Sequence, residues 1–282
     1  MRFGGRIGAW VVLAWLGGFA PIVNATATRI ASLNLCTDSM LLELVPRERI
    51  ATVTWLAEDA SLSALAARAI GIPLNHGLAE EIVALAPDLI VSSEAATVGT
   101  NALLQRLHYH LEIFTPPRSL DLFRSHFLRL AALTATEDRA RDLLATMDAR
   151  LAPKAPPLVG PHDALLIEAG GYVPGPETLA DDLIAAAGLN NAAADYGVEH
   201  GGFLALEKIV SRPPSWLLIG ITDPQHPALA SDFLTHPALR RALTHTRVIA
   251  VPEALWACGG TYFASAVEQI RTALATTPPA EQ

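Results

Sequence analysis

Hydrophobic residues along the chain fall in short runs that alternate with amphipathic segments. The short runs are rich in Ile, Val and Leu and are bounded by polar or turn residues, a pattern typical of buried parallel strands. They cover residues 29–35, 49–54, 88–93, 111–115, 163–168, 215–221 and 247–251. Apolar positions at helical spacing lie between them, over residues 39–45, 62–70, 79–85, 98–107, 179–187, 204–210 and 263–274. This alternation predicts an α/β fold with mainly parallel sheets.

A segment without strand candidates separates the two halves. Its apolar positions keep helical spacing over residues 120–133 and again over 140–151. Thr136, followed by two acids, predicts a helix that begins near Glu137, and three prolines just beyond Leu151 end it. We expect a signal segment (1–27), an N-terminal lobe (28–118), a helical connection (119–157) and a C-terminal lobe (158–282).

The two halves share a short pattern at the same spacing. Glu80 and Pro87 frame a predicted helix in the first half, and Glu207 and Pro214 frame one in the second. Each acid lies 127 residues from its counterpart, and so does each proline. In both halves an acid opens the helix, a proline closes it and a buried strand follows. The repeat predicts two similar lobes.

The first residues form a segment unlike the rest of the chain. Two arginines precede an uncharged apolar stretch over residues 7–23, and the small residues Ala25 and Ala27 follow it. This arrangement predicts a secretory signal peptide over residues 1–27 that is cleaved after export. A stretch of about 17 apolar residues is also long enough for a membrane anchor, so retention of the segment is the alternative.

Composition limits the partners. The chain has 282 residues, of which 51% are hydrophobic, with 28 acidic and 20 basic residues and a formal net charge of −8. No cluster of Lys and Arg is long enough to follow a phosphate backbone, so nucleic acid is not an expected partner. We expect an exported, soluble protein that resides in the periplasm.

The sequence lacks the common catalytic and nucleotide-binding motifs. It contains no G-x-S-x-G nucleophile elbow, no phosphate-binding loop and no H-E-x-x-H zinc motif. His108 and His110 form the one close histidine pair, and at this spacing they would point to opposite sides of a strand. We therefore expect no catalytic residue and no resident metal site.

Candidate binding residues lie where the predicted strands end. Ligands of open parallel sheets bind outside the carboxyl ends of the strands. Those positions hold the aromatic residues Trp55, Tyr172 and Trp256 and the acids Glu94 and Asp223. Two facing tryptophans suit a flat, largely apolar ligand, although a buried core position is the alternative for each of them.

A longer motif points to a known family. Residues 77–91 read GLAEEIVALAPDLIV, and RIASLN begins the expected mature chain at Arg29. Together with FLALE at residues 203–207, these segments resemble class III periplasmic binding proteins, which serve ABC importers of iron–siderophores, haem or vitamin B12. The resemblance covers nearly all of the mature chain. It implies two Rossmann-like lobes joined by a single long helix, with a ligand cleft between them.

The resemblance also implies partners and residue roles. Glu80 and Glu207 correspond to the two exposed acids, one on each lobe, that dock onto arginines of the membrane permease, which works with a cytoplasmic ATPase. The cargo would be a small-molecule metal chelate, with an iron–siderophore first and cobalamin second. No cofactor is expected, and the receptor would act as a monomer. Among possible ligand contacts, His76 and Tyr172 are the candidates for an iron or acidic group.

Two matters stay open on the sequence alone. Cys36 and Cys258 either form a disulfide between the lobes, as is usual in an exported protein, or are two free thiols that touch the ligand. The alternative function is an exported α/β enzyme that uses Asp38, Glu94 or Asp223 as acid or base. A signalling or scaffold role on the same fold is a third possibility.

Overall fold

The computed structural model describes residues 27–94, 98–152, 162–222 and 237–276. The predicted signal peptide, apart from its last residue, and Asp223 lie outside these ranges. Within them, no helix is both long enough and apolar enough to cross a membrane. The chain folds into two α/β lobes, as the alternating pattern predicts, and each lobe is built on a mainly parallel sheet.

The N-terminal lobe contains a five-stranded parallel sheet in the order β3-β2-β1-β4-β5. Its strands are β1 (Ile30–Ser32), β2 (Ile50–Thr54), β3 (Leu74–Asn75), β4 (Leu89–Ser93) and β5 (Leu111–Phe114). Its helices are α1 (Leu35–Leu44), α2 (Ala66–Ala69), α3 (Ala79–Leu85) and α4 (Val98–Arg106). The first predicted strand ends early because Asn34 caps α1: its Oδ1 accepts the Cys36 amide at 2.9 Å.

The connection consists of two helices, as the two stretches of helical spacing in this segment predict. They are α5 (Leu120–Thr134) and α6 (Glu137–Leu151), and Ala135 between them has the left-handed conformation of a helix C-cap. Phe123 and Phe127 of α5 and Met147 of α6 pack into the core of the N-terminal lobe. Both helices therefore belong to that core while they span the two lobes.

The C-terminal lobe contains a four-stranded parallel sheet and a small antiparallel pair. The strands are β6 (Asp163–Ile167), β7 (Tyr172–Pro174), β8 (Asn190–Asn191), β9 (Gly201–Phe203), β10 (Trp216–Ile221) and β11 (Arg247–Pro252). The parallel order is β11-β10-β6-β8, and β7 pairs with β9. The helices are α7 (Leu179–Ala186), α8 (Leu206–Ser211), α9 (Pro237–Ala242) and α10 (Phe263–Thr276).

Charged contacts attach the connection to the C-terminal lobe at both of its ends. At the start of α5, the Leu120 amide donates to the Asp182 carboxylate of α7 at 2.6 Å. At the end of α6, Arg150 forms an ion pair with Glu268 of α10 at 2.6 Å. The start of α5 and the end of α6 both contact the C-terminal lobe, and both helices pack into the core of the N-terminal lobe. Each helix therefore links the two lobes.

Candidate functional site

The carboxyl edge of the N-terminal sheet carries three of the predicted binding residues. Trp55 lies in a short turn directly after β2, and 49% of its surface is exposed. Glu94 follows β4 and is exposed. His76 follows β3, where its ring Nδ1 lies 3.0 Å from the Glu81 carboxylate. A tryptophan side chain with half of its surface exposed is available to contact a ligand.

The Glu81 side chain also explains the local backbone around His76. Its carboxylate accepts the His76 amide at 2.7 Å and so holds the first turn of α3 in place. These hydrogen bonds from His76 lower the pKa of Glu81. The His76 ring therefore contacts the same Glu81 carboxylate that holds the first turn of α3, while most of the ring surface is exposed to solvent.

The C-terminal lobe places Tyr172 beside an aromatic residue that sequence reasoning did not assign to the site. Tyr172 begins β7, and its ring meets Phe203 of β9 edge to face, with centroids 5.6 Å apart. Phe203 is 78% exposed, which is unusual for a large apolar side chain. Gly201 is required here, because a Cβ at this position would lie 2.2 Å from the Tyr172 hydroxyl.

Trp256 is not on the cleft surface, contrary to the expectation from its place after a strand. Only 5% of it is exposed, and it packs into the core of the C-terminal lobe with residues of β10, β11 and α10. Its neighbours in that core include Ile249 and Phe263. The turn at Glu253–Leu255 follows β11 directly, and the indole after it is buried in this core rather than exposed at the edge.

Two glutamates that the sequence reasoning missed follow the strands of the C-terminal sheet. Glu168 comes directly after β6 and Glu253 directly after β11. Burial, together with the charge of Glu253, raises the pKa of Glu168 to about 7. Gly220 leaves room for both, since a Cβ there would lie 2.8 Å from a Glu253 carboxylate oxygen. Their positions at the ends of two predicted strands could have identified both glutamates as candidate site residues from the sequence.

Cys36 and Cys258 form a disulfide, which decides between the two alternatives that the sequence left open. Cys36 follows β1 and Cys258 follows β11, so the bond joins the carboxyl edges of the two sheets. The two Cα atoms lie 5.0 Å apart. The disulfide therefore links the two lobes at the carboxyl edges of their sheets.

A pocket of about 110 Å³ lies beside the disulfide. Residues of β4, β5, α1 and α5 line it together with the disulfide. His126 of α5 is 8% exposed, and its Nε2 lies 3.4 Å from the Thr115 hydroxyl. Burial and the nearby Arg129 charge lower the pKa of His126, so its ring is neutral at neutral pH. Sequence reasoning missed His126 because helical spacing alone assigns α5 to the core.

Asp38, one of the acids considered for an enzyme, is not in the cleft. It is completely buried in α1, and its carboxylate accepts the backbone amide and the hydroxyl of Thr54. Burial raises the pKa of Asp38 to about 7. Its role is to tie α1 to β2. Among the described residues, no group of three or more His, Cys, Asp or Glu side chains is placed to hold a metal ion.

Glu80 and Glu207 occupy matching positions in the two lobes. Each is the second residue of its helix, α3 or α8, and each is exposed. In α3 the Glu81 carboxylate makes the capping contact, so the Glu80 carboxylate is not used as a cap. Within the described ranges neither Glu80 nor Glu207 forms an ion pair. A carboxylate near a helix N-terminus is stabilised by the helix dipole.

Comparison with known proteins gives a consistent result. A family model described as periplasmic binding protein matches residues 30–255. No curated protein matches the chain. The apo structure of the periplasmic haem-binding protein RhuT from Roseiflexus sp. RS-1 is similar with a TM-score of 0.70 and 25% identity, over 88% of this chain and 99% of that one.

Two further solved structures share the fold at lower identity. An ABC-type Fe3+-hydroxamate transport system from Saccharomonospora viridis gives a TM-score of 0.65 at 18% identity, over 88% of this chain and 93% of that one. The periplasmic vitamin B12 binding protein BtuF of Vibrio cholerae gives 0.65 at 17% identity, over 88% and 97%. Each of these likenesses extends over both lobes.

Proposed function

The chain belongs to the periplasmic binding protein family, and from this premise we propose that it is the receptor of an ABC importer for a metal chelate. It captures the chelate in the cleft between its lobes and delivers it to an inner-membrane permease with a cytoplasmic ATPase. The receptor acts as a monomer and carries no catalytic group. Residues 1–27 direct its export to the periplasm.

The observation that carries the proposal is a pair of exposed aromatic side chains, one on each lobe. Trp55 follows a parallel strand of the N-terminal lobe at its carboxyl end, where ligands of open parallel sheets bind, and Phe203 on the other lobe is 78% exposed. A bulky chelate with flat or apolar faces would cover both side chains, while Tyr172 packs edge to face against Phe203.

Charge at the cleft favours some chelates over others. Glu168 and Glu253 follow strands of the C-terminal sheet, and Glu94 follows β4 of the N-terminal sheet. Glu168, with its pKa of about 7, adds only part of a negative charge at neutral pH. Asp223 belongs to the same proposed set, although it is outside the described residues. Carboxylates disfavour an anionic partner and favour an uncharged or cationic one. Neutral ferric siderophores come first on this argument, and cobalamin, which is also without a net negative charge, comes second.

The test is a titration of tryptophan fluorescence in residues 28–282. This range contains Trp55, Trp216 and Trp256, of which Trp55 is exposed and the other two are buried. We expect saturable quenching by one compound at micromolar or lower concentration among ferric hydroxamates, cyanocobalamin and hemin. Free tryptophan titrated in parallel corrects for light absorbed by the coloured compounds.

The matched variant Trp55→Phe separates true quenching from artefact. It keeps an aromatic ring on the N-terminal edge and removes the exposed indole. The variant should lose most of the quenching signal, while calorimetry still detects the chelate. Undiminished quenching in Trp55→Phe would place the ligand elsewhere, and the absence of binding by every compound in both proteins would contradict the receptor proposal.

A further inference from the structure

The pocket beside the disulfide is small and largely apolar. Phe114 and Phe123 provide two of its walls, Met40 provides a third, and the Cys36–Cys258 disulfide closes one side. Thr115 stands at its mouth and is exposed, whereas Met40 and Phe123 at its base are buried. The pocket therefore opens to solvent at Thr115, next to the disulfide that links the lobes, and ends inside the N-terminal lobe.

Its size suits a single aromatic ring. The volume is about 110 Å³. An enclosed apolar cavity of about 150 Å³ accepts benzene. This pocket is smaller but open at Thr115, so one six-membered ring can enter it with one edge left outside, whereas a fused ring system, a corrin or a porphyrin cannot. The aromatic walls also favour a ring, because aromatic pairs gain energy in edge-to-face and offset arrangements.

His126 gives the pocket one polar function. It is 8% exposed, and its ring packs edge to face against Phe114 with centroids 5.3 Å apart, which fixes its orientation. The 3.4 Å contact with the Thr115 hydroxyl is long, and it is the only hydrogen bond of the His126 ring within the described part of the chain. A neutral imidazole both donates and accepts. The ring can therefore bond to a polar atom of a ligand.

We propose that this pocket receives an uncharged aromatic ring carried by the chelate, with His126 hydrogen-bonded to a polar atom at the edge of that ring. The inference rests on the proposed function and narrows its substrate class. The body of the chelate stays in the cleft against Trp55 and Phe203. A phenol-bearing arm of a ferric siderophore supplies such a ring, whereas the dimethylbenzimidazole of a cobalamin, a fused bicycle with two methyl groups, is too large for this pocket.

The pocket itself is tested with ring-sized probes. Residues 28–282 contain two methionines, Met40 in the pocket and Met147 in the core of the same lobe. In protein labelled with 13C at the methionine methyl groups, phenol should shift the Met40 signal and leave that of Met147 in place, and the larger 5,6-dimethylbenzimidazole should shift neither. No shift of Met40 with phenol overturns the proposal.

Two exposed threonines provide a matched pair of variants. Thr115→Phe fills the mouth of the pocket, and Thr146→Phe makes the same change on the outer face of α6. The first should abolish the Met40 shift and the second should preserve it. His126→Phe keeps the ring against Phe114 but removes the hydrogen bond, and it should weaken probe binding by about fivefold, the value of one neutral hydrogen bond. Full probe binding in Thr115→Phe contradicts the assignment.

Calorimetry with whole chelates identifies the source of the ring. Cyanocobalamin is compared with dicyanocobinamide, which lacks the benzimidazole, and a phenol-bearing ferric siderophore is compared with a trihydroxamate. We expect the phenol-bearing siderophore to bind at least tenfold more tightly than the trihydroxamate, Thr115→Phe to remove that advantage, and the pocket to give cyanocobalamin no advantage over dicyanocobinamide. Chelate binding without any preference for a ring overturns the pocket assignment alone. Probe binding without binding of any chelate contradicts the proposed function instead.

Discussion

Cys36 and Cys258 are 222 residues apart in sequence, yet a disulfide joins them with their Cα atoms 5.0 Å apart. About two turns further along α1, the same face of the helix makes a second contact with the segment that contains Cys258. There the buried Glu43 carboxylate accepts the Thr261 amide at 3.2 Å and the Thr261 hydroxyl. Cys36 and Glu43 lie seven residues apart on the helix and so share one face. The N-terminal lobe is therefore fixed to residues 258–261 at two points, which limits the motion between the lobes.

Removal of the disulfide should destabilise the protein. The bond closes a very long loop, and such a cross-link lowers the entropy of the unfolded chain. The double variant Cys36→Ser/Cys258→Ser should lose about 2–5 kcal/mol in the free energy of unfolding, measured by denaturant titration. Reductant should lower the stability of the wild type and have no effect on the double variant. Equal stability of the two proteins without reductant would show that the bond does not restrain the chain.

Gly259, next to the disulfide, should not tolerate a side chain. Its φ of +75° lies in the left-handed region, and a Cβ would meet the Phe123 ring at 2.9 Å. Gly259→Ala should cost about 1–3 kcal/mol in the free energy of unfolding. Gly99→Ala is the control, because no atom lies within 4 Å of its Cβ position in α4 and alanine favours helices. If both variants unfold at the same denaturant concentration, the packing of residues 258–260 on α5 is not as described.

Asp38 should make stability depend on pH. Its ordinary pKa of 3.8 is raised to about 7 in the folded protein by burial. Between these values the folded state binds more protons than the unfolded state, so the contribution of Asp38 is complete below about pH 4 and is lost as pH rises toward 7. Asp38→Asn should reduce the fall in unfolding free energy between pH 5 and pH 7. An unchanged slope would mean that another group causes it.

Local patterns predicted most of the regular structure. Helix α3 covers the predicted residues 79–85, because Glu80 and Pro87 mark its ends and its apolar positions follow one face. The strands of both parallel sheets that are four or more residues long were also predicted to within a residue or two. The two-residue strands β3 and β8 and the antiparallel pair β7–β9 were missed. Two or three residues are too few to show an alternating pattern of hydrophobic and polar positions.

The site was less predictable because it depends on contacts between distant segments. Strand ends correctly located Trp55 and Tyr172 at the sheet edges, but the same reasoning placed Trp256 there, and packing against α10 buries it. His126 belongs to the pocket only because the fold brings α5, β5 and the disulfide together around it. Phe203 gives no periodic signal in a three-residue strand, and its exposure follows from the path of β9.

We propose that the receptor delivers its chelate to a permease, and the proposed docking acids Glu80 and Glu207 test this. In Glu80→Lys/Glu207→Lys both exposed carboxylates change sign at matched sites on the two lobes, and neither residue lines the proposed pocket. Glu48→Lys/Glu137→Lys is the control, since it makes the same change in charge at two other exposed glutamates. Calorimetry should give the same chelate affinity for both variants and the wild type, because none of the four positions belongs to the proposed binding set.

The decisive measurement is uptake of the identified chelate by cells that lack the chromosomal copy of this gene and carry each version on a plasmid. We expect wild type and the control variant to restore uptake and Glu80→Lys/Glu207→Lys to fail, because opposite charges at a fixed separation orient the receptor on its permease. Equal expression in the periplasm is checked in each strain. Uptake restored by Glu80→Lys/Glu207→Lys, or uptake unchanged by loss of the gene, would contradict the account.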